Sequence, residues 1–305
     1  MLVKFCNAVG LVVPKKVAAG EQLVVPFDPK EFRYIRFRAI GNMEIDGENG
    51  NGDGFPYQWF EDERAGYGYT SFRGKRAHVE HNSDLGYEGS IGDLPDAYLN
   101  RFIYPTDLTN HKFADLNAAQ RVNVLNYPGQ RDGSIEVLMR IDMEMVKRAV
   151  KDPRRAGNVN NIIRAIDTGQ SIGCSMGTDV QYSHCSVCGN EARFANEYCN
   201  DLKFRKNGTA SIGANQIRDL LDKDRMRVEW LRHLCIRDTD YQEILGGIDN
   251  RNVLVRIAEI NHELSFFELS VVGRPAYTKG YDLEKIARLE GVKAQQIGVF
   301  TLWVM

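Results

Sequence analysis

Apolar and polar residues alternate with a period of two along much of this chain, and that pattern predicts strands more often than helices. Residues 2–5, 22–27 and 32–40 are rich in Val, Phe, Tyr and Ile. In the third run Arg33, Arg36 and Arg38 interrupt the apolar positions, and the adjacent pair Tyr34 and Ile35 breaks the alternation. A bulge at that pair would reconcile the two halves and leave the arginines in solvent. Extended segments are also predicted at 73–81, 90–92, 134–141, 252–260, 264–272 and 299–304. Helical spacing is confined to 93–102, 143–151, 158–167, 214–221, 225–234 and 281–290. Pro153 is read as the stop after the second of these, and Gly169 as the break after the third. The pattern implies an α+β fold with a predominantly β core.

Between these elements, residues 41–68 form a long loop dense in glycine and acids. Its Asn49-Gly-Asn51-Gly-Asp53-Gly54 run imitates the start of a calcium loop. The twelfth position from Asn49 is Phe60, where a bidentate glutamate is needed, so the run is read as a solvated turn.

One stretch departs from ordinary strand composition. From Gly169 to Gly177, small residues recur at 169, 171, 173, 175 and 177, with Gln170, Ile172, Cys174 and Met176 between them. On a strand this turns Ser171, Gly173, Ser175 and Gly177 to one side and a mainly apolar row to the other. A bare face lets another backbone come close, and it leaves the Ser175 hydroxyl standing in the gap, where it should lie open to substrate. Cys174 is the competing nucleophile, but it belongs to the apolar row.

The chain has 305 residues, 43% of them hydrophobic and 26% charged, enough for a large core in one domain or two. A net charge of −2 gives no field suited to nucleic acid or to a membrane surface. No run approaches the roughly 18 apolar residues of a spanning helix. The start lacks the basic and apolar regions of a signal peptide, which makes the cytoplasm the expected compartment.

Cysteines stand at 6, 174, 185, 188, 199 and 235, and three of them fall within 184–201. Cys185 and Cys188 form a Cys-x-x-Cys knuckle followed directly by Gly189, and Cys199 is a third thiol. This is metal spacing rather than a disulfide framework. Zinc needs four ligands. Asp201 is the leading candidate for the fourth, with His184 and Cys235 as alternatives and His233 more remote.

A nucleophilic serine needs a base and a group that orients the base. Histidines occur at 78, 81, 111, 184, 233 and 262. The order of His81-Asn82, Ile91-Gly92, Cys174-Ser175-Met176-Gly177, Phe267-Glu268-Leu269-Ser270-Val271-Val272 and Pro275-Ala276 resembles the prohead (capsid maturation) serine proteases of tailed bacteriophages. That family is related in fold to the herpesvirus assembly proteases. The resemblance covers residues 70–280 as scattered motifs.

The resemblance implies a β-barrel core surrounded by helices, formed by 1–183 and 202–305, with 184–201 as a zinc-binding insertion. It implies Ser175 as nucleophile, His81 as base and then acid, and Glu268 as orienter. Scaffold and major capsid proteins would be the substrates, inside an assembling prohead in the host cytoplasm. Neither nucleic acid nor membrane is implied as a partner, and a homo-oligomer is left open. Some members end their knuckle in Tyr-Cys-x-His, where this chain has Tyr198-Cys199-Asn200-Asp201. Family analogy also offers Arg274 as a helper at the oxyanion, but it is read in preference as an ordinary surface charge.

Two choices are set by strand parity. On an extended segment His78 and His81 face opposite sides, so one alone can serve Ser175, and the family pattern selects His81. His262 shares the parity of Glu268 but would lie roughly 20 Å from it along a continuous strand, so the two are alternatives as orienter. An unpaired Glu268 among Phe266, Phe267, Leu269 and Val271 would be costly, which favours Glu268. The rival reading is a non-catalytic assembly or scaffold-binding protein on the same fold, held together by zinc.

Overall fold

The structure is a computed structural model that describes residues 2–12, 30–81, 86–99, 133–168, 172–221, 230–231, 233–234, 244 and 251–272, the first of these segments as backbone. The expected elements at 22–27, 281–290 and 299–304, the 104–120 loop, and Cys235, Arg274 and Pro275 lie outside the described residues.

Eleven strands are described: β1 (Leu2–Val12), β2 (Phe32–Ile40), β3 (Asp53–Gly54), β4 (Arg76–Val79), β5 (Ser90–Leu99), β6 (Ile135–Asp142), β7 (Ile172–Cys185), β8 (Glu191–Ala192), β9 (Thr209–Gly213), β10 (Asn252–Arg256) and β11 (Glu259–Val272). Nine of them form one mixed sheet in the order β3-β11-β4-β5-β6-β2-β1-β7-β8, and β11 pairs in addition with β7. That last pairing returns the ladder to its start, so β11, β4, β5, β6, β2, β1 and β7 form a closed circuit of hydrogen-bonded neighbours. The β11–β4 pair is parallel and the rest of the circuit antiparallel. The fold is α+β with a barrel-like sheet.

Helices are few among the described residues. Pro153–Asp167, with 15 residues, is the longest, and the expected ring of helices is not found there. Pro153 opens this helix rather than stopping the preceding one. Proline suits the first helical turn, where its missing N–H would be unpaired anyway, and the Asp152 carboxylate caps the Arg154 amide. No described helix is long and apolar enough to cross a membrane.

Other segments also differ from expectation. Residues 93–99 are strand, not helix; Pro95 is accommodated where the β5–β6 register shifts between Asp93 and Asp96. The irregularity in β2 falls between Arg38 and Ile40, because Ile35, Phe37 and Ala39 already alternate inward. Its arginines are paired rather than solvated: Arg33 with Asp167, Arg36 with Glu136 and Arg38 with Asp46. Gly92 faces the backbone of β6, where a Cβ would stand 1.9 Å from the Arg140 carbonyl oxygen.

The main core gathers the inward residues of the circuit, including Ile35, Phe37, Ala77, Val79, Val137, Cys174, Met176, Leu269 and Val271. A second cluster packs Cys185 with Leu202, Ala210, Ile212, Ile217, Val253, Val255 and Ile257. The packing unit around the cysteines thus extends past 201, through the antiparallel β9–β10 pair.

An ionic joint ties this second cluster to the sheet. Lys206 Nζ lies 2.6 Å from Asp53 Oδ1 and 2.7 Å from Glu259 Oε2, and Tyr198 donates its hydroxyl to Glu259 Oε1 at 2.5 Å. Asp53 and Glu259 are 3% and 0% exposed. The glycine-rich turn at 49–54 is therefore built inward at Asn49 and at 52–54, with Gly50 and Asn51 left in solvent; Asn49 Oδ1 accepts from the amides of Asn51 and Asp53. Removing one partner of a buried ion pair strands the others. Lys206→Met should lower unfolding free energy by about 3–5 kcal/mol in denaturant titration, whereas a change under 1 kcal/mol would show the joint to be solvated.

Candidate active site and metal centre

β4 ends at Val79, and the next two residues, Glu80 and His81, have φ of 51° and 58°. Side chains with a Cβ adopt this region at a cost of about 1–3 kcal/mol each. The Glu80 amide pins the turn by donating to the Val271 carbonyl at 3.0 Å. The turn delivers His81 Nδ1 to 2.9 Å from Glu268 Oε1. Glu268 is 1% exposed and the His81 side chain 28%. A carboxylate only accepts, so Nδ1 carries the proton and Nε2 presents its lone pair as a base.

The same turn overturns the parity argument that set the two histidines on opposite faces. Parity holds only while the strand continues, and it stops at Val79. His78 is buried and stands in register with Ser270, two residues from Glu268 on the same face. Burial holds its pKa below the usual value, opposed by the charge of Glu268 and by a hydrogen bond to the Gly89 backbone. His81 thus hydrogen-bonds the carboxylate, while His78 feels its charge without a hydrogen bond to it.

Ser175 lies on the neighbouring strand. Ile172, Cys174, Met176 and Val180 of β7 enter the main core, which places Cys174 on the apolar face, as the alternation requires. On the opposite face Ser175 pairs in register with Ser270, and Gly177 with Glu268. The bare position at 177 now has a reason. A Cβ there would meet the Phe267 ring at 2.6 Å and Glu268 Cγ at 2.7 Å. The gap in β7 is where the carboxylate of β11 lies.

Two expectations about Ser175 are not met. Its hydroxyl was expected to lie open to substrate, but the residue is 0% exposed. Its Oγ has no hydrogen-bond partner, so no serine–histidine bond is made in this conformation.

His262 is engaged elsewhere. β11 is continuous back to Glu259, but Glu263 has a φ of 53° and the register with β7 shifts between Phe266 and Glu268, so parity is not conserved along it. His262 Nδ1 accepts from Trp59 Nε1 at 2.9 Å, its Nε2 faces His184 Nδ1 at 3.1 Å, and its ring stacks on Tyr182 at 4.7 Å. Burial, aided by His184, pushes its pKa down to about 3. His184 in turn directs Nε2 toward Glu191 at 3.7 Å.

The cysteines converge at the other end of β7. Cys185 closes that strand, Gly189 with φ 73° turns the chain back, and the Gly189 amide donates to the Cys185 carbonyl at 2.9 Å. Cys199 precedes the helix Asn200–Arg205, whose first turn carries Asp201. One donor atom from each of Cys185, Cys188, Cys199 and Asp201 lies within 4.8 Å of the other three. Tetrahedral zinc–thiolate bonds of about 2.3 Å set sulfurs about 3.8 Å apart, so these residues fit a metal ion. Burial pushes the Cys185 thiol up. At Cys199 burial also raises the pKa, but the Leu202 backbone and the other two thiols outweigh it and draw the thiol down. Asp201 also pairs with Arg205 at 3.0 Å.

Sequence reasoning assigned no role to Ser270 or Arg155. Ser270 shares the parity of Glu268, a signal available in the motif. Arg155 is distant in sequence, yet it donates to the carbonyls of Glu88 and Gly89 at 2.9 and 2.6 Å behind His78. Searches of family models, curated proteins and solved structures return no match to this chain.

Two outcomes follow from this geometry. Gly177→Ala should displace Glu268 and abolish the low-field Nδ1 proton resonance of His81 while leaving the far-ultraviolet spectrum intact; an unchanged resonance would show that the carboxylate does not depend on the gap. Purified protein should contain about one equivalent of zinc, and Cys199→Ala should lose it. Full occupancy in that variant would remove Cys199 from the ligand set.

Proposed function

We propose that this chain is a serine endopeptidase of the prohead-maturation kind, with Ser175 as nucleophile, His81 as base and then acid, and Glu268 as the residue that holds His81. The observation that supports it most is the Glu268–His81 hydrogen bond of 2.9 Å, formed beside the strand that carries Ser175. The three residues come from segments far apart in sequence, and a buried carboxylate on an imidazole is what orients a catalytic base.

In the reaction Ser175 Oγ attacks the scissile carbonyl carbon as its proton passes to His81 Nε2. The imidazolium, steadied by Glu268, returns that proton to the leaving amine as the C–N bond breaks. Water then hydrolyses the acyl-serine by the reverse relay. Because Ser175 is buried and unpartnered here, substrate engagement must open the site and rotate Oγ toward His81. Substrates would be scaffold and major capsid proteins within an assembling prohead in the host cytoplasm.

The metal, taken as zinc held by Cys185, Cys188, Cys199 and Asp201, would fasten the chain around it. Cys185 and Ser175 are ten residues apart on one strand, roughly 30 Å at strand rise, so the ion is remote from the hydroxyl. Its three thiolates suit a borderline-soft cation, and four protein donors leave no open position for substrate.

The complete burial of Ser175 favours a second reading, a non-catalytic assembly protein on this fold. A gel of purified protein with the scaffold protein of the same virus separates the two. Ser175→Ala should abolish cleavage, Glu268→Gln should slow it about 100-fold or more, and His262→Ala should retain most of it if folded. No cleavage by the wild-type protein would establish the second reading, and cleavage by the Ser175→Ala protein equal to wild type would remove Ser175 as the nucleophile.

A further inference from the structure

Four buried side-chain atoms on one face of the β4–β11–β7 ladder have no hydrogen-bond partner: Ser175 Oγ, Ser270 Oγ, His78 Nδ1 and Glu268 Oε2. Buried polar atoms are almost always satisfied, and a local group of four marks a place where hydrogen bonds form in another rotamer or with a ligand. The ladder orders three of them. Ser270 is the register partner of Ser175 on one side and of His78 on the other. Neighbouring strands lie about 4.8 Å apart, so side chains in one row reach each other with a single χ1 rotation of a serine.

The donor and acceptor roles along this row are fixed. The hydrogen bond between His78 and the Gly89 backbone favours the charged ring, so the ring is its donor. Nδ1 is unpartnered, and the donating nitrogen is therefore Nε2. Neutral His78 then presents Nδ1 as an acceptor. Burial keeps His78 neutral; Arg155, which holds the same Gly89 carbonyl at 2.6 Å, sets a positive charge behind the ring and acts in the same direction. Arg76 on β4 acts in the same sense, and Glu268 on β11 opposes both.

We propose that Ser270 and His78 are positioning residues of the site, forming a relay in which Ser175 Oγ–H donates to Ser270 Oγ and Ser270 Oγ–H donates to His78 Nδ1. The relay is a resting position for the nucleophile. It holds the Ser175 proton on the side of Ser270 until substrate enters and Oγ turns to His81. No bond is broken in it and no proton leaves its oxygen. It satisfies three of the four orphaned atoms and accounts for the presence of buried His78 near a carboxylate that His81 already holds. The inference rests on the protease reading for its kinetic consequence, but the hydrogen bonds themselves do not.

Nitrogen-15 spectra of the full-length protein labelled at histidine, combined with the rate of Ser175 phosphonylation by a fluorophosphonate, test the relay. His78 should be the Nε2–H tautomer, and its Nδ1 signal should move toward that of a free acceptor in Ser270→Ala and stay in place in Ser270→Thr, which keeps the hydroxyl. The phosphonylation rate should change at least threefold in Ser270→Ala, with Ser270→Thr nearer to wild type. An Nδ1–H tautomer, or an Nδ1 signal indifferent to Ser270→Ala, overturns the relay whatever the protein's activity. A responsive Nδ1 with no phosphonylation of any variant keeps the relay and refutes the protease reading. A responsive Nδ1 with phosphonylation identical in wild type and Ser270→Ala refutes the positioning role.

Discussion

A carboxylate buried in the middle of a long strand imposes a demand that the surrounding structure has to meet. Glu268 sits in β11 with β4 on one side and β7 on the other, at 1% exposure. An ionised group in that position costs several kcal/mol unless paired. The fold answers with a missing side chain at Gly177 to make room, a left-handed turn at Glu80 and His81 to supply an imidazole, and a second imidazole, His78, within reach of its charge. A backbone strained at consecutive residues persists only where its neighbours hold it. Here the Glu80–Val271 hydrogen bond and the Glu268–His81 bond are the holds.

The β7–β11 ladder also joins the two chemical ends of the molecule. Ser175 and Ser270 form one rung, and Cys185 and Glu259 another at the far end. Cys185 enters the cysteine cluster, while Glu259 clasps Lys206 together with Asp53. A metal ion there would anchor the loops that follow β7, and the ionic joint would anchor the helix that follows Cys199. Both terminate the strands on which the hydroxyl and the carboxylate stand. The metal end thus bears on the register and stability of the site without touching it.

Much of this was legible in the chain because alternation and motif spacing report local geometry. The apolar row of β7 and the Cys185, Cys188, Cys199 and Asp201 set follow from short segments whose side-chain directions are fixed once a strand or a turn is recognised, whereas the Glu268–His81 pairing is implied by the order of the motifs in the family resemblance and not by geometry. What escaped depends on where regularity breaks. Parity misjudged His78 because a positive φ at Glu80 cannot be read from a residue with no special preference for it. It misjudged His262 because β11 is irregular at Glu263 and Phe267. Pro95 falls inside the expected 93–102 helix and Pro153 is read as a stop, although proline fits a bulge and a first helical turn equally well. The burial of Ser175 depends on what covers its face of the sheet, a tertiary fact that the alternation of β7 alone does not contain.

The central claim is that Ser175 forms a covalent intermediate with substrate, and acid-quenched turnover analysed by peptide mass spectrometry tests it most directly. With a scaffold protein as substrate, the account predicts that the peptide containing Ser175 gains the mass of the acyl fragment and that Glu268→Gln suppresses this gain. Cleavage with that peptide unmodified and the fragment on Cys174, or no adduct in an assay that detects cleavage within one turnover, would contradict it.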